Sequence, residues 1–157
     1  MKAQYGILRL KKYKGQTVSW IEAHNERQKE SYASNPDIHL ERSQFNFHLV
    51  EPQGKYLGEA DRMIREAGCR TRKDSVKVVE ALITASPEFF NEKSQKEIRL
   101  FFQRAVNFMK TKQDEATYIS AVVHVDEKTP HMHLCFVPIT PDDRLSAKEI
   151  VGNKKDL

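Results

Sequence analysis

YISAVVHVDEKTPHMHLCFV, residues 118–137, reads as two β-strands joined by one tight turn, and the rest of the fold is built around it. The flanking runs alternate and are rich in β-branched and aromatic residues, while DEKTP between them carries the turn chemistry. Side chains alternate between the faces of a strand, so His131 and His133 project from one side. In an antiparallel hairpin with His124 opposite His131, one face carries Tyr118, Ser120, Val122, His124, His131, His133, Cys135 and Val137. The other carries Ile119, Ala121, Val123, Val125, Met132, Leu134 and Phe136 and is uniformly apolar. This pattern predicts a sheet packed on a core by its apolar face, with the histidines on the opposite, functional side. A one-residue slip would drive the imidazoles into the core, so the alternation itself sets where they point.

Three imidazoles gathered in this way predict a divalent metal site with His124, His131 and His133 as ligands. A lone strand histidine is more simply a surface residue; hairpin geometry that brings three together argues for an ion. Structural zinc sites favour four closed ligands, often cysteines, whereas this set leaves coordination positions open. Imidazoles suit manganese, zinc, nickel or cobalt. Manganese is the ion expected here, with magnesium or another divalent ion as the alternatives. Glu127 is a candidate fourth ligand or acid–base group, or else a solvated turn residue. Asp126 is a candidate for orienting a ligand imidazole, or simply makes the turn. Cys135 shares the histidine face but reads as a small strand residue.

The chain of 157 residues suits one domain with a real core. No apolar run is long enough to span a bilayer and the N-terminus lacks a signal-peptide pattern, so membrane insertion is not expected. Cys69 and Cys135 have no disulfide-framework or metal spacing and read as free thiols in a reducing, cytoplasmic setting. The net charge is +4, and its distribution matters more than its size. Lys2, Arg9, Lys11, Lys12 and Lys14 precede the first acidic residue, Glu22, and Arg70, Arg72, Lys73 and Lys77 form a second basic cluster. Either is a solvated surface or a polyanion contact; beside a metal site that suits phosphate chemistry, nucleic acid is the better reading.

Working outward, a strand is expected at about residues 4–10, followed by a loop through KYKGQ. Ser19 and Glu22 have capping-box spacing for a helix holding Trp20, His24, Arg27, Gln28 and Ser31 along one side and ending near Pro36. FNFHLV alternates so that Phe45, Phe47 and Leu49 point to the core, and Asn46 and His48 to the functional face. A short helix over 55–67 and a central strand over 76–84 follow, the latter with a lone carboxylate, Glu80, as a candidate partner of the site. Ser94 with Glu97 caps a helix whose apolar stripe is Ile98, Phe101, Phe102, Ala105, Val106 and Met109. A further helix begins at Ser146. The fold class predicted is α+β: a roughly five-stranded antiparallel sheet with helices on one face. The chain reads as a single domain and as the N-terminal part of something longer.

HVDEKTPHMH at 124–133 resembles the third motif of the Mob/Pre (MobV) plasmid mobilisation relaxases, metal-dependent single-strand endonucleases with a His-hydrophobic-His motif. AHNERQKESYASNPDI resembles that family's N-terminal motif, RSQFNFHL its R-S-x-x-N-Y-x-L segment, and RKDSVKVVEALIT its R-K-D-A-V segment. The resemblance implies a relaxase that nicks one DNA strand at a transfer origin, stays joined to the 5′-phosphate and later reseals. It implies His24 as nucleophile, His124, His131 and His133 as metal ligands, and Glu127 as a carboxylate at the catalytic centre. Phe47 and His48 stand where the family often has Tyr and an acidic residue, so His48 has no assigned role. Lys12, Lys14, Arg27, Arg70, Arg72 and Lys73 are the candidate DNA contacts, and Asp126, Asn46 and Glu80 the candidate supports of the site. Single-stranded or hairpin origin DNA is the expected partner, with dimerisation through a further C-terminal region as another. Two alternatives stay open: a tyrosine nucleophile, Tyr32 or Tyr56, as in rolling-circle initiators, and a DNA-binding module with a structural metal.

Overall fold

Among the described residues, five strands form one antiparallel sheet: β1 (Gly6–Lys14), β2 (Phe47–Val50), β3 (Val76–Ala85), β4 (Tyr118–His124) and β5 (His131–Phe136), in the order β1-β3-β5-β4-β2. The computed structural model describes residues 6–28 and 38–152. β4 and β5 pair in the expected register, His124 opposite His131 and Val122 opposite His133, and β5 takes the centre. The alternation fails at the start of β4. Tyr118 pairs with Phe136 but Ser120 with Cys135, so one residue bulges and the face order reverses beyond it. Tyr118 therefore joins the main core and Ile119 turns to the opposite side, the reverse of the sequence reading.

The helices are α1 (Thr17–Asn25), α2 (Tyr56–Ala67), α3 (Pro87–Phe90), α4 (Gln95–Lys110) and α5 (Ala147–Val151). α4 covers the apolar face, where Phe102 and Val106 pack with Val79, Ala81, Val123, Met132 and Leu134. Its capping box forms in full, Ser94 accepting from the Glu97 amide and Glu97 from the Ser94 amide. Helices were expected on that face alone. A second core on the other face, Val18, Tyr56, Ala60 and Ile64 against Val78, Ile119, Cys135 and Val137, is covered by α1 and α2. The reason lies in the strands: Val78, Cys135 and Val137 are apolar on the histidine face too, and burying each such side chain contributes roughly 1.5–3 kcal/mol. Only the end of that face that bears the histidines is left for chemistry.

α1 departs from its reading in three ways. Its N-terminus is at Thr17, whose hydroxyl donates to the Lys14 carbonyl, and no Ser19–Glu22 box forms. Glu22 is instead buried and accepts from the Tyr56 amide at 3.0 Å, tying the start of α2 to α1. The helix stops at Asn25, well short of Pro36, because Arg27 takes a left-handed backbone, φ 51°. Ser31, Tyr32 and the SNPD turn lie outside the described residues. KYK belongs to β1 rather than to a loop, since Tyr13 packs against the second core. Phe45 lies in a 3-10 turn (Leu40–Phe45) before β2 and is exposed, not in the core; Phe47 and Leu49 pack inward as expected.

Candidate metal centre

The hairpin register places the rings of His124, His131 and His133 in mutual contact: the centroids are 5.3 Å apart for His124–His131, 4.7 Å for His124–His133 and 4.9 Å for His131–His133. His124 is fully buried and His133 nearly so. Each ring is held from behind. His124 Nε2 donates to the Asn25 carbonyl at 2.7 Å, and His131 Nδ1 donates to the Thr129 carbonyl at 2.9 Å. His133 Nδ1 lies 3.1 Å from Glu80 Oε1. A carbonyl or carboxylate behind one nitrogen holds a proton there and turns the lone pair of the other nitrogen inward.

Among the described residues, His124 Nδ1 and both ring nitrogens of His133 are buried with no hydrogen-bond partner, Glu80 facing His133 Nδ1 as a close ion pair; such an arrangement costs free energy in a protein interior. His131 Nε2 meets the Glu127 Oε2 at 2.8 Å. Ligand atoms of His124, Glu127 and His131 lie within 4.8 Å of one another, as do those of His24, His124 and His133. These residues fit a divalent cation: the orphaned nitrogens converge, the tautomers are set from behind, and one carboxylate joins them. Burial, then the neighbouring His133 and Arg27, push the His124 pKa far down, so this ring is a neutral donor. Burial opposes protonation of His131 too, but the Glu127 carboxylate and the Thr129 carbonyl raise its pKa above the usual value.

His24, near the C-terminus of α1, stands against the same group, its ring centroid 5.6 Å from His133 and 6.1 Å from His124. Burial, then His133 and Arg27, lower its pKa, which keeps it neutral with a lone pair to offer. His24, His131, His133, Glu127 and Leu82 line a cleft of about 440 Å³. Glu80 is buried in β3, and it connects the centre to α1 by accepting from Asn25 Nδ2 at 2.9 Å. Burial would raise the Glu80 pKa, but His133 and Asn25 outweigh it and keep the carboxylate ionised.

Asp126 touches no ligand imidazole, contrary to expectation. Its buried carboxylate accepts from Arg27 Nε and a second guanidinium nitrogen, both at 2.8 Å, from Ser43 Oγ at 2.6 Å and from Asn46 Nδ2 at 2.9 Å. Asn46 Oδ1 also accepts from the Val125 amide. Burial works against the ionised Asp126, yet these donors hold its pKa well below the ordinary carboxylate range. The loop carrying Glu127 is thereby tied to β2 and to the end of α1. Arg27 also reaches Glu127 Oε2 at 3.1 Å, and its side chain is only 8% exposed, so it is a buried clamp rather than a surface phosphate contact. Its left-handed backbone is the geometry that lets the guanidinium turn back onto Asp126.

The remaining candidates separate from the centre. Lys12, Arg70 and Arg72 line a groove of about 940 Å³ at the far end of β1 and β3, and Lys14 and Lys73 are exposed in the same region. Val76 at that end is six residues along β3 from Leu82, the partner of His133, or roughly 20 Å at 3.3 Å per residue. His48 pairs with Glu26 at 2.8 Å, and Tyr56 donates to Glu26 Oε2 at 2.7 Å beneath α1. Tyr56 is fully buried in the second core, which removes it as a nucleophile, while Tyr32 lies outside the described residues. Cys135 is buried with its thiol toward Glu80, not toward the imidazoles. Ser43 and Asn25 went unremarked in the sequence; only their places beside Asn46 and His24 hinted at a part in the centre.

Comparisons with known proteins converge. The family described as plasmid recombination enzyme (Mob/Pre) matches residues 2–157. The chain is 40% identical over 98% of its length to plasmid recombination enzyme type 1 of Staphylococcus aureus, covering 39% of that protein. It is 34% identical over 97% of its length to the plasmid recombination enzyme of Bacillus thuringiensis, covering 34% of it. The chain thus spans well under half the length of the curated relatives it matches. Among solved structures, a manganese-bound MobM relaxase domain in complex with plasmid pMV158 oriT DNA superposes with a TM-score of 0.88 at 30% identity, over 97% of this chain and 79% of that one.

Proposed function

The chain belongs to the plasmid recombination enzyme (Mob/Pre) family, and on that premise we propose that it carries the nicking domain of a DNA relaxase. The substrate is one strand of DNA at the transfer origin of a plasmid or other mobile element, and the setting is the cytoplasm, where such DNA resides. Among the described residues no helix is long and apolar enough to cross a membrane. The observation that carries the reading is the convergence of unpartnered, buried imidazole nitrogens beside His24. His124, His131 and His133 would hold the ion, manganese by preference given the manganese-bound relative. When bound, such an ion neutralises charge on the scissile phosphate and acts as a Lewis acid.

The chain's own residues supply the rest. The neutral His24 ring attacks phosphorus with one nitrogen; a nitrogen–phosphorus bond forms and the bond from phosphorus to the 3′-oxygen breaks. The ring then carries a positive charge and releases the proton on its other nitrogen, with Glu127, which lines the same cleft, as the acceptor. The 3′-oxygen leaves as an alkoxide and takes up the proton that Glu127 received, giving the hydroxyl and returning Glu127 to its carboxylate. The 5′-phosphoryl adduct retains the bond energy, so attack by a 3′-hydroxyl reverses the sequence and reseals the strand without ATP. The basic groove at Lys12, Arg70 and Arg72, with Lys14 and Lys73, would hold phosphates about 20 Å from the cleavage point. Arg27 and Asp126 hold the Glu127 loop, while Glu80 orients His133 and Asn46 secures Asp126 and the Val125 amide.

The test is incubation with manganese and single-stranded oligonucleotides tiled across the origin of the element that encodes the gene, followed by mass spectrometry of the labelled peptide. A phosphoryl adduct on His24, absent in His24→Ala, is the expected result. An adduct on a tyrosine that persists in His24→Ala would transfer the role to that residue. A protein that binds the DNA and manganese but never cleaves would be a binding module with a structural metal.

A further inference from the structure

The only tryptophan of the chain, Trp20, is 70% exposed, the most exposed of the large apolar side chains among the described residues. It stands one helical turn before His24, so the two project from the same flank of α1. At Trp20 that flank is open to water, while Val18, Glu22 and Asn25 form the buried side of the helix. α1 follows β1 directly and contacts it. Tyr13 of β1 belongs to the core under α1, so Ile7, Arg9 and Lys11, at the same parity, share its face. Arg9 pairs with Leu82 and Leu82 with His133, which puts Arg9 two strands, or roughly 10 Å, from the metal centre. Ile7 and Leu82 line the cleft that holds His24. β1 itself, GILRLKKYK, carries no acidic residue.

An indole held in water one turn from a phosphate-attacking group, on a helix that contacts a strand with cations and no carboxylates of its own, has the composition of a surface that follows a single nucleic-acid strand. Such surfaces alternate a stacking ring with cations for the backbone. We propose that Trp20 stacks on an unpaired nucleobase flanking the phosphate presented to His24, with Arg9 and Lys11 contacting the adjoining phosphates. This rests on the relaxase reading for the phosphate's position, but the stacking is a binding property that needs neither metal nor cleavage. A π-face is common to all bases, so the platform holds the strand without reading its sequence.

A single tryptophan makes the test direct. Indole emission and the anisotropy of a fluorescein-labelled oligo(dT) of about 12 nucleotides are followed in one titration, in EDTA, at low salt. Saturable quenching that tracks the anisotropy is expected, and an abasic strand of equal length should raise anisotropy with little quenching. Trp20→Ala should weaken oligo(dT) binding about tenfold while leaving abasic-strand binding and the melting temperature unchanged, and Trp20→Phe should recover most of the loss. Anisotropy that rises without quenching, or equal loss on the abasic strand in Trp20→Ala, would overturn the stacking and leave the relaxase reading intact. Quenching and the Trp20→Ala loss in a protein that forms no His24 adduct would do the reverse. No binding of oligo(dT) at all would remove the proposal.

Discussion

Glu80→Gln is the substitution that best isolates how the fold prepares the centre. The carboxylate has two separate tasks: Oε1 faces His133 Nδ1 at 3.1 Å and Oε2 accepts from Asn25 Nδ2 at 2.9 Å. Both neighbours are donors, and a carboxylate can serve both. Glutamine keeps the shape but offers one oxygen and one NH₂ group, so with Asn25 oriented as it is, one of the two donors faces another donor. If Asn25 keeps the oxygen, His133 loses the group that holds its proton on Nδ1 and its lone pair on Nε2. With the Glu80–His133 contact set equal to a charge-assisted hydrogen bond, about 1.5–3 kcal/mol, its loss corresponds to a factor of roughly 10 to 150 in manganese affinity at most. Losing an outer partner of a ligand histidine commonly costs 10–100-fold, on the order of the same range. Isothermal titration calorimetry of metal-free protein with manganese chloride measures it, with circular dichroism as a check that the variant is folded. A folded Glu80→Gln protein that binds manganese as tightly as the parent would refute the reasoning, because His133 would then be oriented without Glu80.

Asp126→Ala removes the acceptor shared by Arg27, Ser43 and Asn46 and takes the nearer of two carboxylates from a buried guanidinium that keeps Glu127; a loss of about 3 kcal/mol is expected in urea unfolding. Adding manganese at about 100 times its dissociation constant should stabilise the protein by about 2.7 kcal/mol, read as a rise in melting temperature that EDTA reverses. His131→Ala should abolish most of that rise, while the metal-free melting temperature falls only modestly, through loss of the ring's contacts with Thr129 and Glu127. Ser94→Ala deletes one half of the α4 capping box and should cost about 1 kcal/mol in the same unfolding experiment, with no change in manganese affinity.

Sequence patterning was strongest where one physical rule acted alone. The hairpin of β4 and β5 was legible because period-two alternation and a turn signal agree, and because a slip would bury three imidazoles. The α4 capping box and stripe were legible because both are local. The readings that failed depended on distant partners. Ser19 and Glu22 had the spacing of a cap, but Glu22 was worth more as the acceptor for the Tyr56 amide. Arg27 looked like a surface phosphate contact, until the Asp126 carboxylate drew it inward through a left-handed turn. Tyr118 obeyed strict alternation on paper, and a bulge reversed it.

Spacing and residue type alone determined that three imidazoles share one side of an antiparallel hairpin, and which face of that hairpin carries the larger core. Those facts follow from the alternation of side chains along a strand, which no distant contact can change without a slip or a bulge. Tertiary structure decided the rest: the tautomer of each ring, set by Asn25, Thr129 and Glu80, and the approach of His24, set by a short helix pinned to α2 and to the hairpin. Hydrogen bonds between residues far apart in the chain have no period, so no pattern in the sequence announces them.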